Sequence, residues 1–396
     1  MKKIIGWLHL WLGIGSGLVV LIVALTGSIL VFENELEPRL SPRFSYVEAP
    51  AGAKALPLET LTNTVLTRYK AYKLREIIIE PAACRSIIFN INKDKKHALS
   101  VAVNQYTGQI IKAVDEDGRF FAVVLRLHRY LCMGATGKAI TGVSCSIFLI
   151  MVITGIVLWW PKRNTRKQRM QIKWNASWKR LNWDLHAVLG FYVHIIIFLT
   201  ALTGLTWAYQ WANNLIFYAF DGKPMKKMTA PQTPAVNTAP TAYLSRIMHS
   251  TDSILDYTGP VRIRFAEKKN FVEKKNQAIT VIKRNDDAAI GNIASTLYFD
   301  PGTGSLVQSR LYENESRGMK VRRLVYPIHT GSLLGWPTKL LSLIAALVAA
   351  SLPVTGFYIW LNRRRKKKPA AKDNKTPALP SVPVRKDSVS FPAGIS

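Results

Sequence analysis

HLWLGIGSGLVVLIVALTG occupies residues 9–27, and HAVLGFYVHIIIFLTALTG occupies residues 186–204. Both open on a histidine (His9, His186) and place a glycine one helical turn on (Gly13, Gly190). Both close on Leu-Thr-Gly at the same offset, as Leu25-Thr26-Gly27 and Leu202-Thr203-Gly204. The apolar runs that contain them are long enough to cross a bilayer as helices, which takes about 20 residues. A second pair of segments agrees as closely. His128 precedes Gly134, Lys138, Thr154-Gly155, Trp159 and Arg163, and His329 precedes Gly335, Lys339, Thr355-Gly356, Trp360 and Arg364 at the same offsets. Thr-Gly pairs and interfacial tryptophans are common in membrane helices, so each element alone is weak. With 7 histidines in 396 residues, however, a histidine at a named offset is roughly a 2% accident. Two such coincidences on one pattern imply an internal repeat.

Four apolar runs, 10–32, 139–160, 185–211 and 338–361, read as spanning helices. Met1-Lys2-Lys3 resembles the basic start of a signal peptide. The apolar run behind it is too long for one and no small-residue cleavage site follows, so a retained anchor is expected. The net charge of +30 suggests nucleic acid or an acidic membrane surface. Its placement decides between them. Lys162, Arg163, Arg166, Lys167, Arg169, Lys173, Lys179 and Arg180 fill the loop after the second span, and Arg363 to Lys368 follow the fourth. Both clusters abut apolar segments and carry no nucleic-acid motif, so they read as cytoplasmic charge flanking membrane helices. Met1, this loop and the tail then share the cytoplasmic side.

The expected division is 1–32 (first transmembrane helix), 33–138 (extracytoplasmic module), 139–160 (second helix), 161–184 (basic cytoplasmic loop), 185–211 (third helix), 212–337 (second extracytoplasmic module), 338–361 (fourth helix) and 362–396 (basic, disordered cytoplasmic tail). The fold class is membrane α-helical, two helix–module–helix repeats with a pseudo-two-fold along the membrane normal. Each module reads as α+β. The first offers a helix over 57–72 and strands at 74–80, 86–91, 99–104 and 109–114; the second offers a helix near 241–254 and strands around 260–266, 277–283 and 296–299. Cys84, Cys132 and Cys145 form no C-x-x-C or C-x-x-C-H, which argues against an iron–sulfur cluster or covalently attached haem. Cys84 and Cys132 could pair on an oxidising face, though nothing requires it.

On this topology His9 and His186 lie at the cytoplasmic ends of their helices, and His128 and His329 lie just before theirs at the other face. Repeat-related residues beside a two-fold axis can face each other, giving one histidine pair per side. Two neutral imidazoles across a gap suit a b-type haem with one nitrogen on each axial position. Metal transport is a second answer, but it favours carboxylates or thiolates along the path. A lone histidine at a membrane edge is usually decoration; four in two symmetric pairs favour ligation. Gly13 and Gly190 sit where a side chain would strike a porphyrin, although close helix packing would explain them equally well. Gly27 and Gly204 lie about 27 Å along the helix from His9 and His186, near the opposite pair. His194, about 12 Å deeper than His186, could replace a ligand, relay a proton or hydrogen-bond in the bundle. Its repeat partner is Gly17. His97 and His249 read as ordinary module residues. Arg126, Arg129, Lys138 and Lys339 outside, with Lys3 and Arg180 inside, are candidate propionate partners, and snorkelling anchors are the plainer reading of each. Trp159, Trp160, Trp207, Trp211 and Trp360 read as aromatic belts.

The histidine-led helices, the Leu-Thr-Gly closes and the turns Gln105-Tyr106-Thr107-Gly108 and Asp300-Pro301-Gly302-Thr303-Gly304 together resemble the PepSY-associated transmembrane family, over about residues 1–365. The first turn departs from the family's Asp-Pro opening, having Asn104-Gln105. The resemblance implies a bacterial inner-membrane protein with PepSY-like periplasmic modules, associated with iron uptake. It further implies an electron-transfer protein holding two haems on His9, His186, His128 and His329 and reducing a ferric siderophore or other ferric chelate. No nucleotide-binding glycine motif is present, so no flavin is expected on this chain, and the donor would be a quinol or a separate flavoprotein. The rival readings are a binding or regulatory protein built on the modules, and a metal-ion permease.

Overall fold

The computed structural model describes residues 1–94, 97–161, 166–226, 229–234, 241–265 and 277–365. The tail from Lys366, and Lys162 and Arg163 of the basic loop, lie outside them. In chain order the elements begin with α1 (Lys2–Leu30), α2 (Glu33–Leu40), α3 (Pro42–Ser45) and α4 (Leu58–Arg68). Strands β1 (Lys73–Ile79), β2 (Ile87–Asn92), β3 (Ala98–Val103) and β4 (Ile110–Asp115) follow, then α5 (Phe120–Tyr130) and α6 (Gly134–Trp159). Next come α7 (Arg166–Arg169), α8 (Trp178–Asp184), a π-helical turn (Leu185–Leu189), α9 (Gly190–Ala208), α10 (Gln210–Asp221) and α11 (Leu244–Ile254). The chain continues with β5 (Val261–Arg264), β6 (Ile279–Arg284), β7 (Ala294–Phe299), β8 (Leu306–Arg310), α12 (Arg317–Thr330) and α13 (Trp336–Arg365).

Four helices are long and apolar enough to cross a membrane: Lys2–Leu30, Gly134–Trp159, Trp178–Ala208 and Trp336–Arg364. This is a membrane protein. α1 packs on α6 and α13, and α9 packs on the same two, so α1 and α9 stand diagonally across the bundle. Val152, Val193, Ile197, Ala345 and Ala349 fill its interior. The alanines let α13 approach closely, the usual device where lipid removes the hydrophobic drive between helices. Gly17 serves the same end on α1, since a Cβ there would lie 3.3 Å from Pro353 of α13.

The spans begin earlier than the apolar runs suggest. α1 starts at Lys2, so His9 lies inside a helix rather than at its start, and His186 lies within the π turn of a helix that starts at Trp178. Lysine and tryptophan at a span's end carry long apolar bodies, which a hydropathy window discounts. His128 and His329 also sit on helices, at the ends of α5 and α12. These helices stop abruptly before the spans. α12 ends on Gly331 (φ 76°), while α5 ends on Leu131 (φ 48°) and Cys132 (φ 56°), two left-handed residues without glycine's freedom.

The β-strands form one antiparallel sheet in the order β4-β3-β2-β1-β5-β6-β7-β8. Residues 33–138 and 212–337 therefore share a single sheet rather than folding as separate units. The seam is the β1–β5 pair, with Ile77 opposite Ile263. On one face α4 and α11 pack over a core in which Leu61, Val65, Ile77, Phe89, Ile247, Ile263 and Leu297 exclude water. On the other, a polar ladder crosses the seam. Ser100 donates to Asn90 (2.8 Å), Asn90 donates to Glu76 (3.2 Å), and Arg264 donates to Glu76 (2.7 Å). Seven of the strands and both module helices lie where alternation and turns locate them. β8 was not anticipated, because its five residues are almost all exposed and carry no apolar alternation.

Candidate functional site: two histidine pairs

The sheet lies between the C-terminal ends of α1 and α9 and the N-terminal ends of α6 and α13 in chain connectivity, which defines a sheet end and a far end of the bundle. The four histidines meet two by two. At the far end the ring centres of His9 and His186 are 6.4 Å apart, at 88° to each other. At the sheet end those of His128 and His329 are 6.3 Å apart, at 67°. Each pair joins one histidine from residues 1–160 to one from residues 178–365.

Every ring is seated by a Thr-Gly dipeptide of a spanning helix. His9 Nδ1 lies 2.9 Å from Thr154 Oγ1, and His186 Nδ1 lies 2.9 Å from Thr355 Oγ1. His128 Nδ1 lies 3.2 Å from Thr26 Oγ1 and 2.9 Å from the Val23 carbonyl. His329 Nδ1 lies 3.0 Å from Thr203 Oγ1 and 2.9 Å from the Thr200 carbonyl. The glycine beside each threonine lies against the ring, most tightly at Gly27 and Gly356. A Cβ would stand 3.1 Å from His128 Cε1 at Gly27, 3.5 Å from His9 Cε1 at Gly155, 3.4 Å from His329 Cε1 at Gly204 and 3.2 Å from His186 Cε1 at Gly356. The hydrogen bonds of all four rings run through Nδ1, and Nε2 has no hydrogen-bond partner among the described residues.

Other sequence candidates fall elsewhere. A Cβ at Gly13 would stand 3.0 Å from Met151, a tight helix contact, and one at Gly190 would stand 3.5 Å from Leu352, in ordinary contact. His194 joins neither pair. Its Nδ1 contacts the Phe191 carbonyl, and its ring stacks on Phe191, which stacks on Trp159 at 3.6 Å. His97 is bound to Asp94 and exposed, and His249 is exposed on α11. Arg126 pairs with Asp117 (3.3 Å), Arg180 with Asp184 (3.0 Å) and buried Lys339 with Glu35. Arg129 lies over Tyr130, while Lys3 and Lys138 are exposed. Cys84 and Cys132 are free thiols.

Two of the tryptophans assigned to aromatic belts turn inward instead. Trp159 is buried, and its indole N–H has no acceptor among the described residues. Trp207 packs on His329 at 4.9 Å, and the Arg322 guanidinium lies over its ring at 5.6 Å. Arg322 is fixed by a 2.5 Å bond to Asn213. This Trp207–Arg322–Asn213 group has no counterpart in the repeat, so no periodicity announces it. The threonines were visible as a repeated Thr-Gly at constant offset, but their role needed the third dimension.

The family model for the PepSY-associated TM region matches residues 6–363, which takes in the second and third spans, nearly all of the first and fourth, and all four paired histidines. The chain belongs to the PepSY-associated transmembrane family. A comparison with curated proteins finds no match. Within the family region the two histidine pairs stand at opposite ends of one bundle.

Proposed function

We propose that this PepSY-associated membrane protein is a two-haem transmembrane electron-transfer protein that reduces an acceptor on the sheet side, a ferric siderophore or other ferric chelate. His9 with His186 would hold one haem and His128 with His329 the other. The observation that carries the reading is the spacing of the pairs. A metal–imidazole bond of about 2.0 Å, plus roughly 1.1 Å from the nitrogen to the ring centre, taken twice, needs ring centres about 6.2 Å apart. The two pairs stand at 6.4 and 6.3 Å. The donor set supports a macrocycle over a bare ion. Each pair offers two imidazoles, and no group of three or more His, Cys, Asp or Glu able to hold a metal occurs among the described residues. The unsatisfied N–H of Trp159 at the far end suits an acceptor atom of a bound group.

When bound, the two haems supply one-electron carriers near the two ends of the bundle. The chain's own residues supply placement. The threonines and glycines fix the rings, and Val152, Val193, Ile197, Ala345 and Ala349 keep the interior dry. Electrons delivered to a ferric chelate lower its charge and loosen hard-oxygen ligands, which frees the iron. The basic loop and tail favour a cytoplasmic far end, with both termini, and a periplasmic sheet; the bacterial inner membrane follows from the family resemblance. The two helix–module–helix halves, each carrying a PepSY-like half-sheet between its spanning helices, would then be related by an axis along the membrane normal. The donor is a quinol or a separate flavoprotein.

A reduced-minus-oxidised visible spectrum of the purified protein tests this. Haem bands are expected, and His9→Ala and His128→Ala should each remove about half of the haem, one of two bis-histidine sites. Fully assembled protein without haem bands would overturn the reading in favour of a binding or regulatory role for the sheet, or a permease.

A further inference from the structure

We propose that Thr154 and Thr355, and at the sheet end Thr26 and Thr203 together with the Val23 and Thr200 carbonyls, fix all four paired histidines as the Nδ1–H tautomer, leaving Nε2 as a bare lone pair. The hydrogen-bond assignment stands on geometry alone; its use as preparation for a metal rests on the two-haem reading.

A hydroxyl owns one hydrogen. Each of these threonines has a place to send it in its own helix. Thr154 Oγ1 lies 3.0 Å from the Ile150 carbonyl and 3.1 Å from that of Met151. Thr355 Oγ1 lies 2.9 Å from Ser351 O and 3.1 Å from Leu352 O. Thr26 Oγ1 lies 2.7 Å from Ile22 O, and Thr203 Oγ1 lies 2.7 Å from Leu199 O. A helical threonine that donates to the preceding turn keeps only lone pairs for other partners. The nitrogen facing it must then be the donor.

The sheet end gives the same answer independently. The Val23 and Thr200 carbonyls stand 2.9 Å from His128 Nδ1 and His329 Nδ1, and a carbonyl only accepts. The opposite tautomer would set a nitrogen lone pair against each of them. With Nδ1 carrying the hydrogen, the neutral ring has its free lone pair on Nε2, the form that binds a metal. Metal-bound histidines commonly have their second nitrogen anchored in this way.

His9 and His128 differ in redundancy, which makes the inference testable. His9 has Thr154 as its hydrogen-bond partner, whereas His128 has both Thr26 and a carbonyl. The experiment uses full-length protein with ring-15N histidine, prepared without haem in lipid, and solid-state NMR to distinguish protonated from bare ring nitrogens. The His9 and His128 signals are assigned by their loss in His9→Gln and His128→Gln. Wild type should show protonated Nδ1 and bare Nε2 for both. Thr154→Val should let His9 populate both tautomers, and Thr154→Ser should restore the single form. Thr26→Val should leave His128 unchanged, because Val23 O still accepts. In protein loaded with haem, Thr154→Val should weaken binding at that site about 10- to 100-fold, with rescue by serine. A protonated Nε2 on His9 or His128 in wild type, or a His9 tautomer indifferent to Thr154→Val, would overturn the proposal. Since the NMR signals come from haem-free protein, a chain that binds no haem would sink the electron-transfer reading and leave this one standing or falling by itself.

Discussion

The glycines of the four Thr-Gly pairs show how finely single positions are fitted. Alanine at Gly27 would bring its Cβ to 3.1 Å from His128, whereas alanine at Gly155 would sit at 3.5 Å from His9, ordinary van der Waals contact. Gly27→Ala must therefore tilt a ring that Thr26 and Val23 both hold, and Gly155→Ala need move nothing. An off-rotamer tilt costs about 0.5–1.5 kcal/mol, or roughly two- to tenfold in affinity. Haem titration of the two variants should show that loss for Gly27→Ala and little for Gly155→Ala. Sequence placed Gly27 and Gly204 near the opposite histidine pair, where the structure has them against His128 and His329, but gave Gly155 and Gly356 no role beyond marking the repeat. What it lacked was the crossing of helices: spacing along one helix does not say which neighbour fills the space opposite. The same gap hid the threonines, whose hydroxyls look like ordinary helix polarity until a ring from another helix meets them.

Among the elements, α12 carries His329 and is held at both ends. Its start is capped from α10, where Asp221 accepts from Ser316 Oγ (2.6 Å) and from the Gly318 N–H (2.8 Å). These bonds hold the Asp221 carboxyl below the ordinary aspartate range, with Ser316 the leading cause. A depressed carboxyl stabilises the fold above its unfolded pKa, and that stability is lost as pH falls through the folded value. The melting-temperature gap between wild type and Asp221→Asn should thus be full at neutral pH and close below about pH 4. The seam of the sheet makes a second prediction. Glu76→Ala strands Asn90 and unties Arg264 across β1–β5, at about 1–3 kcal/mol, mostly from the buried Asn90 bond because Arg264 is half exposed and screened. Hydrogen exchange of β1 and β5 amides should quicken accordingly. Strand identities were legible here from short β-branched and aromatic runs such as Ile77-Ile78-Ile79 and Ile87-Ile88-Phe89, and from alternation at Arg262-Ile263-Arg264. The pairing of β1 with β5 was not, since an antiparallel partner about 185 residues away leaves no local signal.

At the scale of the molecule, the two halves depend on each other. Residues 1–160 contain both threonine contacts of His9 and His128, and residues 178–365 contain both of His186 and His329, yet every pair spans the halves. A chain cut within the 161–177 loop should assemble a haem spectrum only when both pieces are co-expressed, and either piece alone should give none. A spectrum from one piece would mean that the pairing is not the one that binds. The repeat made the four-span plan readable, while the merging of two expected modules into one sheet was not, because edges declare no partner in sequence. The crosswise pairing also imposes an order in time. As the polypeptide emerges from the ribosome, the first hairpin can dock its two imidazoles on its own threonines before the second exists. On the two-haem proposal, cofactor capture would wait until the later hairpin has inserted: a half-made protein would be unable to sequester haem, and the prosthetic group would be the rivet that reports completed synthesis.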